Sequence, residues 1–369
     1  MKKIFSILCM LAMTLSFVAC SDDNDEGAAY NRPSSISIVK SDVLFSANAG
    51  TGYVQVSTGA PLIVEGGNDW CDAKVVSDST VEVSVNNNEG IDGRSCILTL
   101  KSGVDSVNVT VQQQGFIFSL TGVTSALSCG DAATTKRFAL KTNGTPSVVA
   151  DADWVIASIV EDSLQIGVKA NATGHLRQAN VKISFGEFTD SIKVSQYDFK
   201  KDIAGDYYLA YYDADGKLSA FSAELTTSGN QYTMTLPELG LTLPVNFDEK
   251  ACQLNIAAGS YMGPFSSQGT TLYIYALLGS MTTGNLTWSP ALKLYADFSY
   301  SDDEGTMAYF DTTGTYNYLS FFVFSDKTLS GDTALGYLEN LFSPFLMKID
   351  DAAAAKNGIV VKKGLKFGK

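Results

Sequence analysis

Beyond about residue 36, apolar and polar residues alternate with a period of two, in short runs broken by turn residues. Val81, Val83 and Val85 alternate, as do Val107, Val109 and Val111; further on, Leu164, Ile166 and Val168 do the same, followed by Ile192 and Val194. The pattern returns near the C-terminus in Tyr232, Met234 and Leu236, in Leu241, Leu243, Val245 and Phe247, in Cys252, Leu254 and Ile256, and in Leu292, Leu294, Ala296 and Phe298. Successive side chains on a strand point to opposite faces, so each run predicts a strand with one buried face. Asp213-Ala214-Asp215-Gly216, Ser228-Gly229-Asn230 and Thr312-Thr313-Gly314 supply hairpin turns between them. The predicted fold class is all-β. A single short helix is expected over Tyr337–Phe342, limited by Pro344, which has no N–H to donate.

The strand pattern repeats. Trp70, Arg94 and Gln113 recur as Trp154, Arg177 and Gln196, at offsets of 84, 83 and 83 residues. Turns fall at matching places, Asn86-Asn87-Asn88-Glu89-Gly90 in one copy and Asn171-Ala172-Thr173-Gly174 in the other. Several short strands in about 80 residues, closed off by turns, favour an antiparallel sandwich. Two such domains are therefore expected, over 36–115 and 117–197.

The order of tryptophan, Asn-rich turn, arginine and a strand ending in glutamine resembles the BACON domain, an immunoglobulin-like β-sandwich. The resemblance implies a domain associated with binding glycans or mucin, or a spacer between other parts of a chain. The residues favour spacing, because a sugar platform needs exposed rings and residues 36–202 contain only 11 aromatics. Trp70 and Trp154 occupy equivalent places and are expected in the cores. Arg94 and Arg177 open a strand after the turn and are expected to bond loop carbonyls. Cys71 aligns with Val155 and Cys96 with Ala179, so buried thiols acting as small hydrophobes are expected. A Cys71–Cys96 bridge is the alternative in an oxidising compartment.

Composition changes after Phe199-Lys200-Lys201-Asp202. Residues 203–369 hold 26 aromatics and 14 of the 17 tyrosines, which marks a different domain. Its run of hairpins suits an up-and-down barrel or a further sandwich, and the start Ile203-Ala204-Gly205-Asp206-Tyr207-Tyr208-Leu209 loosely resembles the opening strand of lipocalin-like domains. Strand neighbours face opposite ways, so one ring of each pair Tyr207-Tyr208 and Tyr211-Tyr212 should be exposed. Those four, with Trp288 and Tyr316 or Tyr318, form the expected sugar-stacking patch.

At the other end, Lys2 and Lys3 precede 16 uncharged, mainly apolar residues, Ile4 to Ala19, too few for the roughly 20 that span a bilayer. Residues 1–19 read as an export signal. Phe17-Val18-Ala19-Cys20 resembles a bacterial lipobox, which implies that Cys20 becomes the acylated first residue, carrying diacylglycerol and palmitate-type chains that hold it on a membrane. The acidic stretch Ser21 to Gly27 opens a hydrated tether over 20–35. It is similar to the tract behind the lipidated cysteine of Bacteroidota surface lipoproteins, which implies the outer membrane with the protein facing the exterior, the periplasmic face being the alternative.

Without Lys2 and Lys3 the chain has 24 basic residues against 39 acids, a formal charge near −15 that argues against nucleic-acid partners. A lone histidine, His175, leaves no material for serine or cysteine triads or His-rich metal sites. No catalytic or nucleotide-binding fingerprint is present, and neither enzyme activity nor a cofactor is expected. The leading expectation is a surface lipoprotein that binds an extracellular glycan, mucin-type included, through 203–369. The alternative is an adhesion or scaffolding lipoprotein contacting another outer-membrane protein. Third comes a small glycoside hydrolase in 203–369, for which a pair of carboxylates would suffice.

Overall fold

The computed structural model describes residues 34–349, 360–362 and 364; the segment expected as an export signal (1–19), Cys20 and all but the last two residues of the expected tether (20–35) lie outside them. The chain divides into two compact units, one comprising residues up to Val43, Thr51–Ser84 and Cys96–Val111, the other Leu44–Gly50, Val85–Ser95 and Gln112 onward.

The first repeat folds into β1 (Ile36–Ser41), β2 (Leu44–Phe45), β3 (Gly50–Thr58), β4 (Leu62–Gly66), β5 (Cys71–Ser77), β6 (Thr80–Val85), β7 (Arg94–Ser102) and β8 (Asp105–Gln113). The second gives β9 (Phe118–Thr121), β10 (Ala126–Cys129), β11 (Thr134–Thr142), β12 (Ser147–Ala150), β13 (Val155–Val160), β14 (Ser163–Val168), β15 (Arg177–Phe185) and β16 (Phe188–Gln196). Sheets ordered β1-β3-β6-β5 and β2-β8-β7-β4 in the first copy are matched strand for strand by β9-β11-β14-β13 and β10-β16-β15-β12 in the second. The alternating valines do what their period demands: Val81, Val83 and Val85 are buried, and so are Leu164, Ile166 and Val168.

Three details depart from the sequence reading. The sandwiches are not wholly antiparallel, because β2 runs parallel to β8 and β10 parallel to β16. The opening segment of each copy pairs with one sheet and then crosses to the last strand of the other. Trp70 and Trp154 are half-buried, not enclosed. Trp154 lies in the turn before β13, at the end of the sandwich, with one face toward the core and the Arg177 guanidinium 4.3 Å from its ring centroid. Cys71 is buried as a small hydrophobe would be, whereas Cys96 is only half-buried.

A single-turn π-helix, Phe199–Ile203, leads into the third domain. There β17 (Gly205–Tyr212), β18 (Leu218–Ser228), β19 (Gln231–Leu236), β20 (Leu241–Asp248) and β21 (Gln253–Ala257) follow in order. Then come β22 (Ser260–Ser267), β23 (Thr270–Gly279), β24 (Leu286–Thr287), β25 (Lys293–Ser301), β26 (Gly305–Phe310), β27 (Tyr318–Phe324), β28 (Ala334–Lys348) and β29 (Val360–Val361). Of the two architectures the sequence allowed, the barrel is the one formed. Strands β17-β18-β19-β20-β21-β25-β26-β28 make an eight-stranded ring, closed where β17 pairs with β28. Its interior is filled by side chains, among them Tyr207, Tyr211, Phe221, Met234, Leu254 and Phe298, all fully buried in one cluster.

The helix expected over Tyr337–Phe342 is absent; those residues belong to the 15-residue β28. Pro344 is accommodated beside Ser343 (φ 45°) at an irregularity, where Tyr212 pairs with Phe342 but Ala210 pairs with Phe345. Proline is tolerated within sheets at such bulges. The C-terminal half of β28 closes the barrel, and its N-terminal half leaves the ring to pair with β27, which pairs with β23 and then β22. This four-stranded wing has two faces. Ile274, Leu278, Phe321 and Val323 join the barrel core on one side, and Tyr275 and Phe324 anchor a separate cluster on the other.

Candidate functional site

The wing's outer face carries an aromatic row. Tyr261 of β22 is in register with Tyr275 of β23, Tyr275 with Phe322 of β27, and Phe322 with Tyr337 of β28. Register partners on antiparallel strands share a face, so four rings line up across four strands. At about 4.8 Å per inter-strand step the row extends some ~14 Å. Tyr337 is 57% exposed, Tyr261 and Phe322 are half-buried, and Tyr275 forms the floor. A second line, Tyr273 opposite Phe324, runs beside it.

Side-chain packing fixes these rings. Tyr261 and Tyr275 have centroids 5.1 Å apart with planes inclined by 49°, and Phe324 takes the edge of Tyr275 at 5.4 Å and of Trp288 at 6.4 Å. The rings are tilted and do not form a coplanar platform. The Tyr275 hydroxyl donates to the Lys327 carbonyl at 2.8 Å, and burial raises its pKa. The loop so held carries the Lys327 ammonium to 5.7 Å from the Tyr261 centroid and 5.8 Å from that of Tyr273. Such a face offers apolar rings for stacking and, in the tyrosine hydroxyls and Lys327, polar groups at their edges.

The residues expected to form the patch are dispersed. Alternation within the tyrosine pairs holds, and it removes half of them: Tyr207 and Tyr211 are fully buried in the barrel, so neither meets a ligand. Tyr207 donates to the Ile203 carbonyl, and Tyr211 stacks on Phe221. Tyr318 is also buried, its ring 4.8 Å from that of Phe342, and it lies so close over Gly279 that a Cβ there would meet ring atoms at 2.0 Å. Tyr316 is half-buried against the barrel core. Tyr208 packs with Met307, Met347 and Phe345 on the outer wall, and Tyr212 is exposed. Trp288, 38% exposed, is the one member that adjoins the aromatic face, through Phe324. Tyr261, Tyr273, Tyr275, Phe322, Tyr337 and Lys327 were not singled out by the sequence, because only strand register unites them.

A charged cluster lies near the start of β18. Lys362 is 2.9 Å from Glu339 and 3.9 Å from Asp213, with its ammonium 5.3 Å from the Tyr211 ring. Burial raises the Glu339 pKa despite Lys362. Burial also pushes Asp213 upward, but N–H bonds from Lys217 and Asp215 and the charge of Lys362 outweigh it and hold Asp213 below its usual range. With an ammonium between them, the two acids form a structural ion cluster. Among the described residues no group of His, Cys, Asp and Glu is placed to hold a metal ion.

In each sandwich the arginine and glutamine of the repeat meet. Arg94 and Arg177 bond Gln113 and Gln196 and also reach loop carbonyls, as expected of structural residues. Residues 60–114 and 142–197 match the BACON family model, described as "Putative binding domain, N-terminal". Both sandwiches are BACON domains. No curated protein matches the chain. Solved structures with some likeness include a variant endo-fucoidan hydrolase of glycoside hydrolase family 107 (11% identity, TM-score 0.25, covering 47% of this chain and 30% of the hydrolase). They also include the I9–I11 tandem of titin (12% identity, TM-score 0.32, covering 44% of this chain and 66% of the titin chain). A chimeric titin Z1Z2 is similar to the same slight degree (9% identity, TM-score 0.29, 45% and 97%). At such scores none of them bears on what this chain does.

Proposed function

We propose that the protein is a surface lipoprotein that binds an extracellular glycan through the outer face of the wing, with the BACON domains as its spacer. The observation that carries the reading is the in-register row Tyr261, Tyr275, Phe322 and Tyr337. Sugar rings present C–H faces that pack on aromatic faces, and a row crossing four strands suits an extended chain of sugar units. The filled barrel interior favours a ligand on the outside.

The spacer role is supported by the packed connection between the copies. Phe116 stacks on Phe185 at 4.3 Å, Asn143 bonds Gln114 and the Gly115 carbonyl, and Asn48 bonds Thr145. Membrane attachment rests on Cys20 and its preceding segment, and the acidic tether favours the outer face of the outer membrane. A glycan array probed with the full chain lacking residues 1–19 tests binding. At least one glycan class should be retained, and loss of that signal in Tyr337→Ala would place it on the wing. Silence across the array would sink the reading. Membrane attachment has its own check: Cys20→Ser should release the protein from the membrane fraction.

A further inference from the structure

A cleft of about 400 Å³, open to solvent, is lined by four segments distant in sequence: the turn at Thr173–His175, the π-turn bearing Lys201 and Asp202, the hairpin from Tyr300 to Thr306, and the end of β28 at Lys348 and Ile349. Its volume lies within the range of small-molecule sites. The aromatic row contributes nothing to it.

The wall is a pair of flat rings. His175 and Tyr300 stack with centroids 3.5 Å apart and planes 11° from parallel. His175 Nδ1 is 2.9 Å from the Leu176 carbonyl, which can only accept, so Nδ1 holds a proton and, in the neutral ring, Nε2 is left as an acceptor.

At the floor, Asp202 is buried, and its Oδ2 accepts from the Asp198 N–H at 2.8 Å. Its Oδ1 has no hydrogen-bond donor; the Lys201 ammonium stands 3.6 Å away while bonding Asp131. Lys348 donates to the Asp202 and Lys201 carbonyls at 3.0 and 3.4 Å, which leaves a third N–H. Both Lys201 and Asp202 are carried by the single π-turn.

The charges cancel: Lys201 and Lys348 oppose Asp202 and Glu304. A small cation would meet two ammonium groups and a small anion two carboxylates. A neutral polyhydroxylated ring suffers neither repulsion. Its hydroxyls both donate and accept, which matches a lining of mixed sign, and its C–H face can lie against an aromatic wall.

We infer that this cleft is a separate binding site for a single neutral pyranose unit, held between the His175–Tyr300 wall and the Lys348 and Glu304 side chains. The test is calorimetric titration of the full chain with the methyl glycosides of glucose, galactose and N-acetylglucosamine, and with inorganic phosphate and calcium as ionic probes. At least one glycoside should bind, and both Lys348→Met and Glu304→Gln should weaken it about tenfold or more, as expected for a charged hydrogen bond. Glu304 lies exposed in a turn, so Glu304→Gln stays informative if the lysine variant folds poorly. Glycoside binding left intact by Glu304→Gln would overturn the inference. So would failure of all three glycosides to bind, or phosphate or calcium binding lost in the same variants. None of these results touches the wing, so failure here leaves the earlier reading standing.

Discussion

Arg177 donates from Nε to Oε1 of Gln196 at 2.9 Å, and Arg94 makes the same bond to Gln113 at the same distance. In each copy the other end of the guanidinium reaches two loop carbonyls, Lys169 and Ala170 or Asn86 and Asn87. The glutamine amide closes the circuit by donating to the Lys169 or Asn86 carbonyl. One planar fork thus ties the turn before the seventh strand to the end of the eighth. Arg177→Met leaves the buried Gln196 oxygen without its donor and should destabilise the second sandwich by about 2 kcal/mol. Lysine lacks the fork, so Arg177→Lys should restore little of it. Urea unfolding of the three proteins, read as midpoint shifts, checks both.

Phe116 is the second point of leverage. It is buried between the copies against Ala47 and Phe185, and Phe116→Ala should cost about 3 kcal/mol or more locally. Gly144→Ala should act in the same direction, since its Cβ would meet the Phe116 ring at 2.8 Å. Limited proteolysis near residues 114–117 should accelerate in both variants; unchanged cleavage rates would mean that the linker is not held by this ring.

Thiol chemistry offers a third check. Burial pushes the Cys252 pKa up to about 12 and raises that of Cys129. At pH 8 neither is a thiolate, so iodoacetamide should spare both in the folded chain and alkylate them after denaturation. Peptide mass mapping reads the outcome, and rapid native labelling of Cys252 would contradict its placement.

Glu339 predicts a pH dependence with a definite sign. Its folded pKa lies above the ordinary 4.5 because burial outweighs Lys362. A raised carboxylate pKa means that the stabilising contribution is full below pH about 4.5 and is lost as pH rises through the folded value. The melting temperature of the wild type should therefore fall relative to that of Glu339→Gln between mildly acidic and neutral pH. A difference that stays constant or reverses would refute this.

Much of the fold could be read from local pattern. The repeat was visible because Trp, Arg and Gln hold fixed places in each copy, and the burial of alternate valines followed from period two. Alternation likewise fixed which way neighbouring tyrosines of β17 point, but not which member of each pair lies inside. Burial took Tyr207 and Tyr211, two of the four paired tyrosines. The helix expected at Tyr337–Phe342 is absent because Pro344 does not end the element: a bulge at Ser343 lets the strand pass it. The aromatic row was hidden for another reason: Tyr261 and Tyr337 lie 76 residues apart, and only the pairing of β22, β23, β27 and β28 brings them onto one face. The cleft beside His175 is equally non-local, drawing on residues from 173 to 349.

The central claim is that the tilted row on the wing holds the glycan. Its most direct test is the dissociation constant of the retained glycan, measured by calorimetry on the wild type and on Tyr337→Ala and Tyr261→Ala. Stacking of this kind contributes about 1 kcal/mol per ring, so each variant should weaken binding roughly fivefold or more with its melting temperature close to that of the wild type. Unchanged affinity in both variants, with the glycan still bound, would contradict the account.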